Sequence, residues 1–232
     1  MIIVNPCANP IDAEALRILS SIDTNEIGHK RFWGVMSPTL RPVISGRRMA
    51  GTAVTVAIPA FDSALVPYVL SMVRPGDVLV IDRLGDERHS CLGGTVTLAA
   101  KVAGVAGIVV DGYATDFDEI RENGVPVWCK GPAALTTKLL GVGGAINVPV
   151  CCGGVAVNPG DAIIADDVGL CVLRPDEIED VILALRSKPV RDREERLIRG
   201  EKLADLNGCQ QIIDARLAEQ EKLRRDLLGK NK

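Results

Sequence analysis

Two short apolar runs, residues 78–81 (Val-Leu-Val-Ile) and 107–110 (Gly-Ile-Val-Val), lack the polar alternation of a strand with one wet face. The run 78–81 reads as a short strand of the doubly covered kind, and 107–110 as a short apolar strand. Between them, Gly93-Gly94-Thr95-Val96-Thr97 and an alanine-rich stretch predict a helix over about 95–103. After the second run comes a carboxylate-bearing turn, Asp111-Gly112 and Thr115-Asp116. The pattern is that of an α/β chain, and 232 residues with 47% hydrophobic content suffice for one sizeable core.

The same alternation continues on both sides. A helix is expected over 12–21, with Asn9-Pro10 or Asp12 near its start. Residues 52–58 alternate as a half-buried strand ending at Pro59, and a helix over 62–73 closes at Pro75-Gly76. A short helix over 116–123 stops at Gly124, and a strand follows over 125–128. Further strands are expected at 146–150 and 155–157, turned by Cys152-Gly153-Gly154. Asn158-Pro159-Gly160-Asp161 is a turn, with strands at 163–164 and 169–173 beyond it. Residues 176–186 form a helix. From 190 the chain becomes dense in charge, with Leu and Ile at helical spacing, and Asn207-Gly208 divides two tail helices. The expected organisation is an α/β domain over 1–189 and a charged helical tail over 190–232. Such a tail packs on its own domain or on a neighbouring subunit.

Net charge of −3 gives no general attraction to nucleic acid or to an anionic membrane. No stretch approaches the roughly 18 apolar residues of a membrane span. Met1-Ile2-Ile3-Val4-Asn5-Pro6 has no basic region followed by a long apolar one, so no secretory signal is expected. The 7 cysteines are scattered and include the adjacent Cys151-Cys152, which fits neither a disulfide framework nor a zinc spacing. A reduced cytoplasmic protein is the expectation.

Backbone N–H groups at a helix start attract anions, because they lack intrahelical partners and sit at the positive end of the macrodipole. The glycine pair is therefore a candidate anion cradle, and Asp116, just past a strand end, a candidate metal ligand. Each has a plainer reading. Gly93-Gly94 also serves as a tight turn with Thr95 as N-cap, and Asp116 with Glu119 fits a capping box. Asp111 is a common strand-end carboxylate. His89 lies in the polar loop Asp86-Glu87-Arg88-His89, and Lys130 reads as a surface charge. Cys91 and Cys129 lack a recognisable histidine partner. No Ser/His/Asp signature, phosphate loop or dinucleotide fingerprint is present.

The run from Gly76 to Leu173 resembles the family of 4-hydroxy-4-methyl-2-oxoglutarate aldolases and the related regulators of ribonuclease activity A. The resemblance rests on Arg74-Pro75-Gly76-Asp77-Val78-Leu79-Val80-Ile81-Asp82, Leu92-Gly93-Gly94 and Gly107-Ile108-Val109-Val110-Asp111-Gly112. It continues through Asp116, Glu119-Ile120, Gly153-Gly154-Val155-Ala156-Val157, Pro159-Gly160-Asp161 and Ala165-Asp166-Asp167-Val168-Gly169. Upstream, Leu40-Arg41-Pro42, Gly51-Thr52-Ala53-Val54-Thr55 and Asp62-Ser63 also fit.

The resemblance implies a compact layered α/β sandwich, here with a C-terminal helical tail, assembled as a homotrimer or homohexamer with sites at subunit interfaces. It implies that backbone amides of Gly93, Gly94, Thr95 and Val96 bind a substrate carboxylate, and that Asp116 helps hold Mg2+ or Mn2+, mostly through water. At the position of Thr115 the family carries an arginine that contacts the substrate, and after the first glycine an acidic residue where this chain has Gly94. Thr115 brings no charge, so another cation serves, the substrate differs, or the aldolase activity has been lost. Arg83, Arg88 and Lys130 are the nearest candidates by segment. Arg88 and His89, in the loop feeding the glycine pair, are preferred as catalytic residues beside Thr115. The implied function is a divalent-metal-dependent lyase, by aldol cleavage or decarboxylation, on a small oxo- or hydroxy-carboxylate. His89 or a water of the hydrated ion would carry the proton, and Asp111 would support the turn. The alternative is a non-catalytic, protein-binding regulator. A methyltransferase role carries little weight without a nucleotide motif.

Overall fold

The computed structural model describes residues 1–186 and 190–229. The chain divides into two compact units, Met1–Leu185 and Arg186–Lys232. Residue 189, the expected end of the first domain, lies outside the described residues.

The first unit opens with β1 (Ile2–Val4), α1 (Ala13–Leu19), α2 (Thr24–Gly28), β2 (Arg41–Pro42) and the long β3 (Met49–Ala57). After α3 (Leu65–Val69), strands β4 (Asp77–Asp82) and β5 (Ser90–Leu92) lead into α4 (Gly94–Ala103). Then come β6 (Gly107–Asp111), β7 (Tyr113–Ala114), α5 (Phe117–Asn123), β8 (Val127–Cys129) and β9 (Gly131–Pro132). β10 (Gly144–Ile146), β11 (Val150–Cys152), β12 (Val155–Val157), β13 (Ala162–Ala165) and β14 (Leu170–Leu173) precede α6 (Ile178–Arg186).

The main sheet follows the path β1-β10-β3-β4-β6-β8-β2, with β13 and β14 added at β3. β3, β4, β6 and β8 run parallel, with Val54 opposite Leu79 and Val80 opposite Val109. Side chains alternate across a strand, so β4 divides its apolar run between two cores. Leu79 and Ile81 pack with Val54, Ile108 and Val110 against Leu65, Ala100 and Ile120 of the helices. Val78 and Val80 face the other way, with Val109 and Trp128, onto Met36, Val150, Val157 and Ile163. Each such buried side chain contributes roughly 1.5–3 kcal/mol relative to exposure. Both faces are dry, as the unbroken apolar run requires.

Three expectations are corrected. Residues 52–58 are not half-buried: Thr52 and Thr55 are buried too, accepting from the Ile11 N–H at 3.0 Å and donating to the Val148 carbonyl at 2.6 Å. The helix over 62–73 contracts to Leu65–Val69, because the Asp62 carboxylate accepts the N–H groups of Ala64, Leu140 and Val142 and holds a turn there. The strand over 146–150 is two strands, broken where Asn147 takes φ +54° and donates its N–H to the Thr55 carbonyl.

At the carboxyl ends of the parallel strands, the chain leaves β4, β6 and β8 and enters a second parallel sheet, β5-β7-β9. The glycine pair follows β5 and Asp116 follows β7, so this small sheet brings the two together. In α/β folds the crevice outside the carboxyl ends of the strands is the usual ligand position.

In the second unit, α7 (Val190–Ile198), α8 (Leu203–Leu206) and α9 (Cys209–Gly229) are separated at Gly200 (φ +94°) and Gly208 (φ +75°). Among its described residues the tail therefore holds three helices, where two were expected. Ile212, Leu217, Leu223 and Leu227 of α9 are exposed. No described helix is long and apolar enough to cross a membrane.

Candidate active site

The helix start at Gly93-Gly94 is built by side chains from α4 and α5. Thr97 Oγ1 donates to the Gly93 carbonyl at 3.1 Å and the Gly94 carbonyl at 2.9 Å. Asn123 Nδ2 donates to the Gly94 carbonyl and to Thr97 Oγ1, both at 2.9 Å. Neither residue stood out in the sequence, although Asn123 directly precedes the Gly124 stop. The first turn of α4 is thereby fixed, while the Thr95 and Val96 amides have no acceptor among the described residues.

Asp116 precedes α5 but does not cap it. It lies in the left-handed region (φ +54°, ψ +47°), and its side chain makes no bond to its own helix. The carboxylate turns to the glycine pair instead, where Oδ2 accepts the Gly94 N–H at 3.1 Å and Oδ1 the Thr115 hydroxyl at 3.0 Å. The capping-box reading of Asp116 and Glu119 is thus set aside. Left-handed backbone is strained for a non-glycine residue, although aspartate tolerates it better than most. Here it aims the carboxylate.

At both cradle positions glycine leaves room for a neighbouring carboxylate that a side chain would displace. A Cβ on Gly93 would collide with Asp116 Oδ2 and approach Thr115 Cγ2 to 2.9 Å. A Cβ on Gly94 would collide with Glu119 Oε2. Glu119 therefore fills the space that an acidic side chain at position 94 would claim. Two exposed carboxylates, Asp116 and Glu119, flank the amides. A hard divalent ion that keeps most of its water needs only one or two carboxylates, so this oxygen donor set fits Mg2+ or Mn2+. No group of three or more His, Cys, Asp or Glu side chains suited to a metal occurs among the described residues.

The other candidates separate. His89 Nδ1 lies 3.0 Å from Asp86 Oδ1, and its backbone N–H donates to Asp86 Oδ2 at 2.9 Å. Arg88 is exposed and has no ion-pair partner among the described residues. Arg83 is fully buried, donating from Nη2 to Asp86 Oδ2 at 2.9 Å and to the Ala60 carbonyl. Lys130 is committed to Asp111 at 3.1 Å and to Glu87 at 3.7 Å. Asp111 also accepts the Gly153 N–H at 3.0 Å, tying β6 to the β11–β12 turn. Burial pushes the Cys91 and Cys129 thiols up to about 11, which leaves them protonated and unreactive at neutral pH.

Comparison with known proteins places the chain. The family model described as RraA-like (Aldolase/RraA) matches residues 21–172. A Halalkalibacterium halodurans protein with the provisional name 4-hydroxy-4-methyl-2-oxoglutarate aldolase is 34% identical over 157 residues, 68% of this chain and 74% of the relative. A Thermus thermophilus 4-hydroxy-4-methyl-2-oxoglutarate aldolase is 37% identical over 142 residues, 60% of this chain and 85% of that one. Among solved structures, an unusual member of the RNase ES inhibitor RraA protein family from Streptomyces coelicolor matches with TM-score 0.69 and 30% identity. That match covers 82% of this chain and 98% of the other.

Proposed function

The chain belongs to the RraA-like (Aldolase/RraA) family, and from that premise we infer that it is a divalent-metal-dependent lyase acting on a small oxo- or hydroxy-carboxylate. The observation that carries the reading is the Asp116 carboxylate, turned from its own helix onto the Gly94 amide beside the open Thr95 and Val96 amides.

Gly93, Gly94, Thr95 and Val96 form the carboxylate cradle, with the Thr95 and Val96 amides as the donors. Asp116 and Glu119 would hold the hydrated Mg2+ or Mn2+. Bound there, the ion would withdraw electron density from a 2-oxo acid and stabilise the enolate released by C–C cleavage. Thr115 keeps its hydroxyl on Asp116 and presents a short polar contact to the substrate where its relatives are expected to use arginine. The positive charge that Thr115 lacks is assigned to Arg88, which is exposed and has no ion-pair partner among the described residues. His89 carries the proton. The cradle is open on a single chain, with Thr95 and Asp116 both exposed, which suits completion by a neighbouring subunit in a homotrimer or hexamer.

Pyruvate release from a panel of 4-hydroxy-2-oxo acids and oxaloacetate, with Mg2+, Mn2+ or EDTA, tests this reading. Turnover that needs the metal and disappears in EDTA is the expected result. A folded, metal-loaded protein silent across the panel overturns it and favours the protein-binding regulator, to be sought by partner capture with and without residues 190–232.

A further inference from the structure

The loop between β4 and β5 holds a buried charge arrangement that the cradle does not explain. Arg83 has no exposed surface, and its Nε and Nη1 have no hydrogen-bond partner among the described residues. Its stem is accommodated by Gly112, directly after β6, where a Cβ would come within 2.6 Å of Arg83 Cγ. A guanidinium is rarely taken out of water at such expense unless it fixes another charge. Its ion-pair partner is Asp86, whose side chain is 6% exposed. Asp86 in turn holds His89 at two points, ring Nδ1 and backbone N–H.

We propose that Asp86, braced by buried Arg83, is the positioning residue that sets His89 Nε2 as the proton acceptor and donor of the lyase reaction. The proposal rests on the lyase reading above and adds the device that makes a loop histidine competent. Burial pushes the Asp86 carboxyl up, but hydrogen bonds from the His89 ring and backbone and from Arg83 outweigh it and hold the group at about 2. An ionised carboxylate only accepts, so Nδ1 must carry the hydrogen and Nε2 the lone pair. His89 is 19% exposed, so the ring retains a path to ligand.

His89 lies at one end of β5 and Gly93 at the other. Four residues span at most about 14 Å, within the combined reach of an imidazole and an extended hydroxy-oxo acid. In aldol cleavage Nε2 takes the proton of the C4 hydroxyl and the C3–C4 bond breaks. C4 becomes a carbonyl, and the bond's electron pair passes to the enolate of pyruvate. The imidazolium then returns the proton to C3, leaving neutral His89 and pyruvate. The other charged or titratable groups around the loop are exposed Arg88, Glu87, which reaches Lys130, itself paired with Asp111, and the buried thiols Cys91 and Cys129.

The chain has only two histidines, His29 and His89, so ring nitrogen NMR resolves the site directly with His29→Asn as the assignment control. The expected spectrum of the substrate-free protein shows neutral His89 as the Nδ1–H tautomer, with that preference lost in Asp86→Asn. A wild-type His89 in the Nε2–H form overturns the proposal, and this needs no variant of the buried pair to fold. In turnover, His89→Gln is expected to lower kcat about 100-fold or more with KM little changed, with partial rescue by added imidazole. An unchanged kcat and pH profile in His89→Gln, while metal-dependent turnover persists, overturns the proposal and leaves the lyase reading intact. Absence of turnover in the wild type removes the lyase reading and this role with it, whatever the tautomer.

Discussion

Asp86 shows how one carboxylate ties stability to pH. Its folded value, about 2, lies below the ordinary 3.8, so its contribution is complete above about pH 4 and is lost as pH falls towards 2. The shift corresponds to about 2 kcal/mol. Asp62, Asp166 and Glu177 are also held low, so the signal is the difference between wild type and Asp86→Asn in denaturant midpoints from pH 5 to pH 2. The gap should narrow steadily on acidification, and a constant gap contradicts the assignment. At the cradle, Gly93→Ala should drive the Asp116 carboxylate off the Gly94 amide. Manganese affinity should fall by about tenfold or more while the unfolding midpoint moves little, as titration with Mn2+ would measure. Gly93, Gly94 and Asp116 were legible in the sequence because a glycine pair before a helix and an acid before another are local signals. Glu119 over Gly94 and Arg83 beside Gly112 were not. The first depends on how α5 packs against α4, the second on a register that sets Asp82 opposite Asp111.

Strand β3 carries the same lesson at the level of elements. Its two threonines, Thr52 and Thr55, stand three residues apart and so point to opposite faces, and both are buried and bonded from outside the sheet rather than lining one wet face. Alternation reports polarity, and a hydroxyl satisfied by a distant backbone group looks the same in sequence as one satisfied by water. The apolar run of β4, expected to be a doubly covered strand, is buried on both faces. β3 is also where tight packing makes a sharp prediction. A Cβ on Gly51 would collide with the Gly76 carbonyl and come within 2.7 Å of Val78 Cγ2. Gly51→Ala should therefore cost about 1–3 kcal/mol through overpacking at the start of β4. Urea unfolding measures it, and an unchanged midpoint would show that the β3–β4 pair yields more easily than its register suggests.

Over the whole molecule, the first unit contains the cradle, the two carboxylates and the Arg83–Asp86–His89 loop, all gathered at the carboxyl ends of β4 and β6 or in the small sheet beyond them. Order along the chain made the α/β class legible, and the family resemblance supplied the layered sandwich that periodicity alone does not specify. The division of the tail into three helices was legible only in part, since Gly200 sits in a charged stretch with no other turn signal. The most direct test is the rate of pyruvate release from a 4-hydroxy-2-oxo acid under saturating Mn2+, comparing wild type with Asp116→Ala. Loss of metal-dependent turnover in a variant that keeps its unfolding midpoint is the expected result. Equal turnover in both proteins, unaffected by EDTA, would contradict a lyase site built on Asp116 and the glycine pair.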